Sequence, residues 1–130
     1  MIRKMLKSKI HGATVTETVL HYEGSISVDR DLLDAANILP GEMVLVVNLN
    51  NGARLDTYAI EAPRGSGTIC LNGPAARLAE QGDTVHVISY CYLDDVAARE
   101  MESVVVQVDS GNRRVSARVG LEQTSLSIRE

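Results

Sequence analysis

Short apolar runs separated by turn residues recur along the chain, and they predict a protein built mainly from strands. Apolar residues alternate loosely over 3–16 with an interruption at Gly12, which predicts two short strands. The segment Asn50-Asn51-Gly52 predicts a tight hairpin between two apolar runs. Apolar and β-branched runs predict the two arms of this hairpin and the remaining strands, at 43–49, 54–60, 68–71, 84–92 and 103–108.

Three short helices are predicted between the strands. Asp29 is a suitable N-cap for a helix over Arg30–Ala36, in which the apolar residues share one face. Proline suits the first turn of a helix, so Pro74 marks the start of the second. The second and third helices are predicted over 75–80 and from Asp94-Asp95 to about Glu100.

Many short strands with tight turns and few helices are typical of a closed β-barrel, because closure removes exposed strand edges. The last clear strand ends at residue 108, and the periodicity fades after residue 112. We therefore predict one barrel domain over 1–112 and a loosely attached tail over 113–130. This pattern alone indicates a fold class and no function.

Composition narrows the class of partner and the location. The 130 residues carry a net charge of -4, which disfavours a nucleic-acid partner. No segment has the apolar core of a signal peptide or the about 20 apolar residues of a membrane span, so a cytoplasmic protein is expected. Cys70 and Cys91 are interpreted as reduced core thiols, and the three histidines show no metal-ligand spacing, so no metal site is predicted.

Several motifs occur together in order, although each is weak alone, since a Gly-Ser pair is usually only a turn. They are Met1-Ile2-Arg3, Met5-Leu6, Lys9-Ile10-His11, Val15-Thr16, Leu20-His21-Tyr22-Glu23-Gly24-Ser25, Leu33-Asp34-Ala35-Ala36, Asn51-Gly52, Thr57-Tyr58, Arg64-Gly65-Ser66-Gly67 and Asn72-Gly73. Over residues 1–112 the chain resembles the aspartate 1-decarboxylase family. The resemblance implies a double-psi β-barrel and a homotetramer with active sites between subunits. In some members of that family a maturation factor assists processing.

The resemblance implies that the chain cuts itself between Gly24 and Ser25 into a β chain, 1–24, and an α chain, 25–130. The Ser25 hydroxyl would attack the Gly24 carbonyl, and a glycine leaves that carbonyl approachable and tolerates strained dihedrals. The product is a pyruvoyl group at position 25, which forms a Schiff base with L-aspartate and accepts electrons as CO2 leaves. The expected product is β-alanine for pantothenate biosynthesis, with no external cofactor.

The resemblance also assigns roles at Thr57-Tyr58. Thr57 would stabilise negative charge near the Gly24 carbonyl during cleavage and contribute to substrate binding. Tyr58, on the opposite strand face, would be the proton donor after decarboxylation. By residue type alone, Thr57 is an ordinary strand threonine and Tyr58 a core or interface tyrosine.

Substrate-binding roles are implied at Lys9, Arg54, Asn72, Gly73 and Ala75. Aspartate carries two carboxylates, which suit the fixed cations of Lys9 and Arg54, although surface exposure is the ordinary interpretation of both. Asn72 would lie close to the pyruvoyl group, and it could equally cap the helix that follows. Two further motif residues, His11 and Tyr22, are expected to support the site without a chemical step.

One departure from the family pattern bears on the site, because Pro74 stands where a small residue is common and removes a backbone N–H. The amides of Ala75 and Ala76 remain, at what would be a helix N-terminus. The alternative to an enzyme is a non-enzymatic barrel module that binds DNA or protein, since small barrels occur in both roles. The acidic charge and the paired Gly24-Ser25 and Thr57-Tyr58 motifs favour the enzyme.

Overall fold

A computed structural model of the protein describes residues 1–120 and confirms a mainly β architecture with short helices. The first half of the described chain contains five strands and one helix, namely β1 (Ile2–Thr14), β2 (Glu17–Val19), β3 (Ile26–Asp29), α1 (Arg30–Ala36), β4 (Met43–Asn48) and β5 (Arg54–Ala62). The second half contains β6 (Ile69–Asn72), a 3₁₀ helix (Gly73–Leu78), β7 (Thr84–Asp94), α2 (Asp95–Glu100), β8 (Val104–Val108) and β9 (Arg114–Val119).

All the strands of the described chain join one sheet in the order β2-β6-β3-β5-β4-β7-β1-β8-β9. The sheet is mixed, because β1 runs parallel to β8, β2 to β6 and β3 to β5, while the other neighbours are antiparallel. Its inward positions are aliphatic and form one core, with Ile10, Ile26, Leu33, Val46 and Val87 fully buried. This core fixes β3 between β5 and β6, where the candidate site lies.

The helix α1 has the predicted bounds, Arg30–Ala36, and begins after the predicted N-cap Asp29. The Asp29 carboxylate accepts a hydrogen bond from the N–H of Asp31 at 2.9 Å, which satisfies a donor of the first turn. The same buried carboxylate accepts from the N–H groups of Gly65 and Gly67 at 3.0 and 2.9 Å. Asn37 ends the helix in the left-handed conformation, with φ 56°. Asp29 therefore ties the end of β3 to the 65–67 loop as well as capping α1.

The structure corrects three points in the predicted order of elements before residue 108. The segment 3–16 forms mostly one long strand, β1, because irregularities near Leu6/Ser8 and Ile10/Ala13 absorb its bends without ending it. The short strand β3 was not predicted. The second helix is a 3₁₀ turn that begins at Gly73, two residues before the predicted start.

The chain after residue 108 is also more ordered than its sequence pattern indicated. The strand β9 pairs antiparallel with β8, so the prediction that the last strand ends at 108 was wrong. The domain limit at 112 stays a prediction, and the remainder of the predicted tail, 121–130, lies outside the described residues. None of the helices described within 1–120 has the length and hydrophobicity needed to cross a bilayer.

Candidate active site

The peptide between Gly24 and Ser25 lies in a strained segment at the start of β3. Gly24 has φ 105° and Ser25 has φ 103°, a region that residues with a side chain rarely adopt. Such a conformation costs about 1–3 kcal/mol at a residue other than glycine and is held only by its surroundings. The Ser25 side chain is 0% exposed. The structure therefore places a buried hydroxyl next to a peptide bond that is out of its relaxed geometry.

The amide of Asn72 holds this hydroxyl. Its Nδ2 donates to the Ser25 Oγ at 2.9 Å and to the Ser27 Oγ at 2.9 Å. The backbone N–H of Asn72 also donates to the Ser25 carbonyl oxygen at 2.9 Å. Asn72 precedes the 3₁₀ helix, but its side chain makes no capping hydrogen bond, so the capping role is not observed. Its amide is directed to the serine at the cleavage position.

Gly73 lets the 20–25 segment pass close to β6. A Cβ at position 73 would lie 2.7 Å from the Gly24 nitrogen, 2.8 Å from the Gly24 Cα and 2.8 Å from the Tyr22 carbonyl oxygen. Real Cβ atoms do not approach other atoms so closely, and φ at Gly73 is 69°. Only glycine fits both requirements, so Gly73 packs directly against the backbone that contains the reacting peptide.

A cavity of about 380 Å³ opens beside Gly24. Thr57, Asn72 and Ala75 lie in its wall, so the structure brings these three predicted site residues together. Pro74 also lines it, at the position where the backbone N–H is missing. Nine of the described residues form the wall, namely Glu23, Gly24, Leu55, Asp56, Thr57, Asn72, Pro74, Ala75 and Leu78.

Tyr58 and Arg54 lie away from this cavity wall. Strand alternation places Thr57 half-buried and Tyr58 on the other face, 40% exposed and opposite Met43 of β4. Arg54 is exposed at the start of β5. Tyr22 is exposed in the 20–25 segment, and its carbonyl contacts Gly73 as described above. A single chain therefore assembles the cleavage residues but leaves Tyr58 and Arg54 on its outer surface.

Lys9 and His11 share one face of β1, in a second cluster of basic residues. The ring of His11 stacks on that of His86 with centroids 4.1 Å apart, and the Gly12 N–H donates to His86 Nδ1 at 3.0 Å. Burial, with repulsion from His11 and Lys9, lowers the pKa of His86 to about 4. His86 is therefore neutral at pH 7, as an acceptor at Nδ1 requires. Lys9 lies four strands from β3 in the sheet order.

Sequence reasoning missed three residues of these clusters. Ser27 and Cys70 belong to the network around Asn72, and His86 stacks on His11. Strand alternation carried a signal for the first two, because Ser27 follows Ser25 by two residues and Cys70 precedes Asn72 by two. Within residues 1–120, no group of three or more histidine, cysteine or acidic side chains is arranged to hold a metal ion.

The residues around Gly24 and Ser25 are arranged as needed to make a pyruvoyl group from the serine of the chain itself. A buried serine follows a strained glycine, an amide donor contacts its hydroxyl, and a cavity adjoins the glycine. A small β-barrel with this arrangement is typical of a self-processing enzyme that derives its carbonyl from a serine.

Comparisons with known proteins agree with this class. The model of the aspartate decarboxylase family matches residues 1–115. The chain is 58% identical over 120 residues to the aspartate 1-decarboxylase of Pelotomaculum thermopropionicum, covering 92% of this chain and 91% of the relative. It is 54% identical over 116 residues to that of Thermoanaerobacter pseudethanolicus, covering 89% and 99%. For that of Desulfitobacterium hafniense the identity is 57% over 115 residues, covering 88% and 91%.

The chain therefore belongs to the aspartate decarboxylase family. Its mixed nine-stranded sheet is the double-psi β-barrel of that family, as the resemblance implied.

Proposed function

We propose that the protein decarboxylates L-aspartate to β-alanine and CO2 at a pyruvoyl group that it makes from Ser25, after cutting its own backbone between Gly24 and Ser25. The observation that carries this proposal is the strained Gly24-Ser25 linkage with the Asn72 amide on the serine hydroxyl. Membership of the aspartate decarboxylase family supplies the reaction class and the substrate, and disfavours a DNA-binding or protein-interaction module. β-Alanine then feeds pantothenate biosynthesis.

The cleavage begins with the Ser25 hydroxyl. Its Oγ attacks the Gly24 carbonyl carbon, the new C–O bond replaces the C–N bond, and the hydroxyl proton ends on the nitrogen of residue 25. Loss of the Cα proton of residue 25 then breaks the Cβ–Oγ bond and releases residues 1–24 as a carboxylate. The dehydroalanine left at position 25 takes up water and loses ammonia to become the pyruvoyl ketone. Strain at Gly24 and Ser25 favours the first step because breaking the peptide bond relieves it.

Thr57 and Asn72 stabilise the charges that develop in this cleavage. Thr57 lies in the wall of the cavity beside Gly24, where its hydroxyl serves as a donor to the oxygen of the attacked carbonyl. The Asn72 amide donates to the attacking Oγ at 2.9 Å. A buried donor stabilises a developing negative charge more strongly than water-exposed groups do. These two residues therefore act on the two oxygens whose charge changes.

In the decarboxylation, the pyruvoyl group supplies a carbonyl that binds the substrate amine and accepts its electrons. Lys9 and Arg54 bind the two substrate carboxylates, with Arg54 providing a planar fork. The wall formed by Asn72, Gly73 and Ala75 positions the substrate. Tyr58 donates the proton that replaces the lost carboxylate. His11 and Tyr22 support these residues, and His86, stacked on His11, holds that ring in place.

An assay of β-alanine and CO2 tests the activity. Purified protein incubated with L-aspartate should release both products in equal amounts without any added cofactor. The measurement is product release with and without added pyridoxal phosphate. Release that appears only with pyridoxal phosphate would contradict the proposal, because the carbonyl would then come from outside the chain.

Tyr58→Phe separates processing from turnover. Cleavage between residues 24 and 25 should proceed as in the wild type, because Tyr58 lies on the face opposite Thr57. Turnover should fall about 100-fold, the contribution expected of a general acid. Intact mass measures the first and β-alanine release the second. The control is Tyr92→Phe, which removes a hydroxyl from another exposed tyrosine; unchanged turnover in Tyr58→Phe would remove Tyr58 as the proton donor.

A homotetramer is part of this proposal, and two features support it. Large hydrophobic side chains are exposed on the face that contains Tyr58, where Met43 is 65% and Tyr92 is 70% exposed. An apolar surface of this kind marks an interface more often than a free surface. In addition, Lys9 lies four strands from β3 within one chain, so a neighbouring subunit is needed to bring it near Ser25.

The assembly can be tested on a surface residue. Wild-type protein should have a native mass four times that of its 14.1 kDa chain, and Met43→Glu should reduce that mass because it buries a charge in the interface. The native mass is the measurement, and the control is Val96→Glu, which places the same charge on an equally exposed apolar residue of α2. A wild-type monomer that turns over aspartate at full rate would contradict the assembly. A maturation protein, if one assists, would raise the rate of cleavage and would contribute no atom to the pyruvoyl group. We also propose that the protein is cytoplasmic.

A further inference from the structure

Four polar side chains, those of Ser25, Ser27, Cys70 and Asn72, meet where β3 and β6 pair. Ser27 lies directly opposite Cys70 in the antiparallel register, and the Asn72 backbone N–H donates to the Ser25 carbonyl. The Asn72 amide group bonds to both serine hydroxyls, as described above, and the Cys70 Sγ lies 3.2 Å from the Asn72 Oδ1. Cys70, Asn72 and Ser25 are buried. The thiol thus completes a network that ends on the reacting hydroxyl.

The two ends of the Asn72 amide have opposite hydrogen-bonding properties. Its nitrogen has two donors, and both are used, on Ser25 and Ser27. The serines alone do not decide which end faces them, because a hydroxyl can accept from the nitrogen or donate to the oxygen. A thiol is different, since its sulfur is a weak acceptor and its proton can bind only to an acceptor. Cys70 therefore favours the orientation in which Oδ1 faces the thiol and the nitrogen faces Ser25.

The Cys70 thiol is suited to remain a donor. Burial, together with the negative charge of Glu17, raises the pKa of this thiol, so it stays protonated at pH 7. The Leu71 carbonyl oxygen is the other nearby acceptor, but at 4.0 Å it is farther from the sulfur than the Asn72 Oδ1. A hydrogen bond in this buried place is also stronger than in water.

Orientation of this amide matters for cleavage. With the nitrogen on the Ser25 Oγ, the amide stabilises the negative charge that grows on Oγ as the hydroxyl loses its proton for the attack on Gly24. The reversed amide would present Oδ1 to the same atom, and the partial negative charge of a carbonyl oxygen would oppose that growth. The two orientations therefore have opposite effects on the reacting atom.

We infer that Cys70 is a positioning residue for self-cleavage, and that its thiol orients the Asn72 amide so that the nitrogen faces the Ser25 hydroxyl. The inference rests on the proposed function, because it concerns the same cleavage. It assigns no chemical step to the sulfur, which touches neither Ser25 nor Gly24 in this network. Cys70 acts only through Asn72.

Two substitutions separate the hydrogen bond from the packing of the side chain. Cys70→Val keeps apolar bulk and removes the donor, whereas Cys70→Ser keeps a donor in a smaller group. Cleavage should slow about tenfold in Cys70→Val, as expected for the loss of one buried hydrogen bond, and should stay within about threefold of wild type in Cys70→Ser. Intact mass over time gives the rate constants, and thermal unfolding shows that both variants are folded.

The same substitution in an Asn72→Ala background tests whether the effect passes through the amide. Cys70→Val should then change the cleavage rate less than twofold, because no amide remains to be oriented. A similar slowing in both backgrounds would overturn the inference and indicate a packing effect. If Asn72→Ala cleaves too slowly to measure, the comparison of Cys70→Val with Cys70→Ser tests the inference by itself.

The failure of this inference differs from the failure of the proposed function. A wild-type chain that cleaves, together with a Cys70→Val variant that cleaves equally fast, would overturn the role of Cys70 alone. Equal slowing in Cys70→Val and Cys70→Ser would also overturn it, because a donor would not rescue the rate. A wild-type chain that never cleaves would overturn the proposed function and this inference with it.

Discussion

Ser25→Ala should abolish both backbone cleavage and β-alanine formation. Alanine has no hydroxyl to attack the Gly24 carbonyl, so neither the ester nor the pyruvoyl group can form. The protein should keep its full mass indefinitely and show aspartate turnover at the background of the assay. Intact mass and β-alanine release on the same sample measure the two effects together.

Ser27→Ala is the matched control for this variant. It removes the second hydroxyl that accepts a hydrogen bond from the Asn72 amide, and it leaves the Ser25 hydroxyl beside Gly24 in place. This control should still cut between residues 24 and 25. Formation of β-alanine by Ser25→Ala would show that the carbonyl does not originate at this serine.

Gly73→Ala should block cleavage by displacing the segment that contains Gly24. The added methyl would need the space within 2.8 Å of the Gly24 backbone and of the Tyr22 carbonyl oxygen. Overpacking of this kind costs about 1–3 kcal/mol, and the left-handed φ adds about 1 kcal/mol for a residue with a Cβ. We expect the cleavage rate to fall more than tenfold and the unfolding temperature to decrease.

Gly52→Ala separates backbone strain from crowding. Gly52 has φ 76°, close to the 69° of Gly73, but a Cβ there would meet no atom within 4 Å. This control should lose about 1 kcal/mol of stability and cleave at the wild-type rate. If Gly73→Ala also cleaved at the wild-type rate, the close packing of Gly73 on Gly24 would have no part in the reaction.

The elements that could be predicted from sequence are those with local signals. The helix α1 has the predicted bounds because Asp29 and Asn37 cap it within the segment itself. The hairpin at Asn50-Asn51-Gly52 joins β4 to β5 as expected, since the required turn conformation depends on these residues alone. In both places the chain needs no distant partner to specify its conformation.

The elements that were missed depend on distant partners. The four-residue strand β3 has too short a pattern to be recognised and exists because β5 and β6 pair with both of its edges. The strand β9 has mostly exposed side chains, so no apolar periodicity marks it, and its pairing with β8 defines it. Pairing of this kind follows from the whole sheet and not from local sequence.

The candidate site also has features that could be predicted from the sequence and features that could not. Resemblance to a family marked Ser25, Thr57 and Asn72, and the structure places them around Gly24. It could not show that the Asn72 amide is shared with Ser27, because this contact crosses from β6 to β3. The contact of Cys70 with Asn72 lies within β6, where alternation indicates only that the two side chains share a face. The roles of Lys9 and Arg54 stay predictions, since one chain leaves both away from Ser25.

If the catalyst is made by breaking one peptide bond, the intact mass of aged, active protein should reveal the break. We expect two species, residues 1–24 and a 25–130 chain whose blocked N-terminus gains two hydrogens on borohydride reduction. Aspartate turnover should rise in proportion to the second species. Full turnover by protein whose backbone is still continuous at Gly24-Ser25 would show that the catalyst is not made by this cleavage.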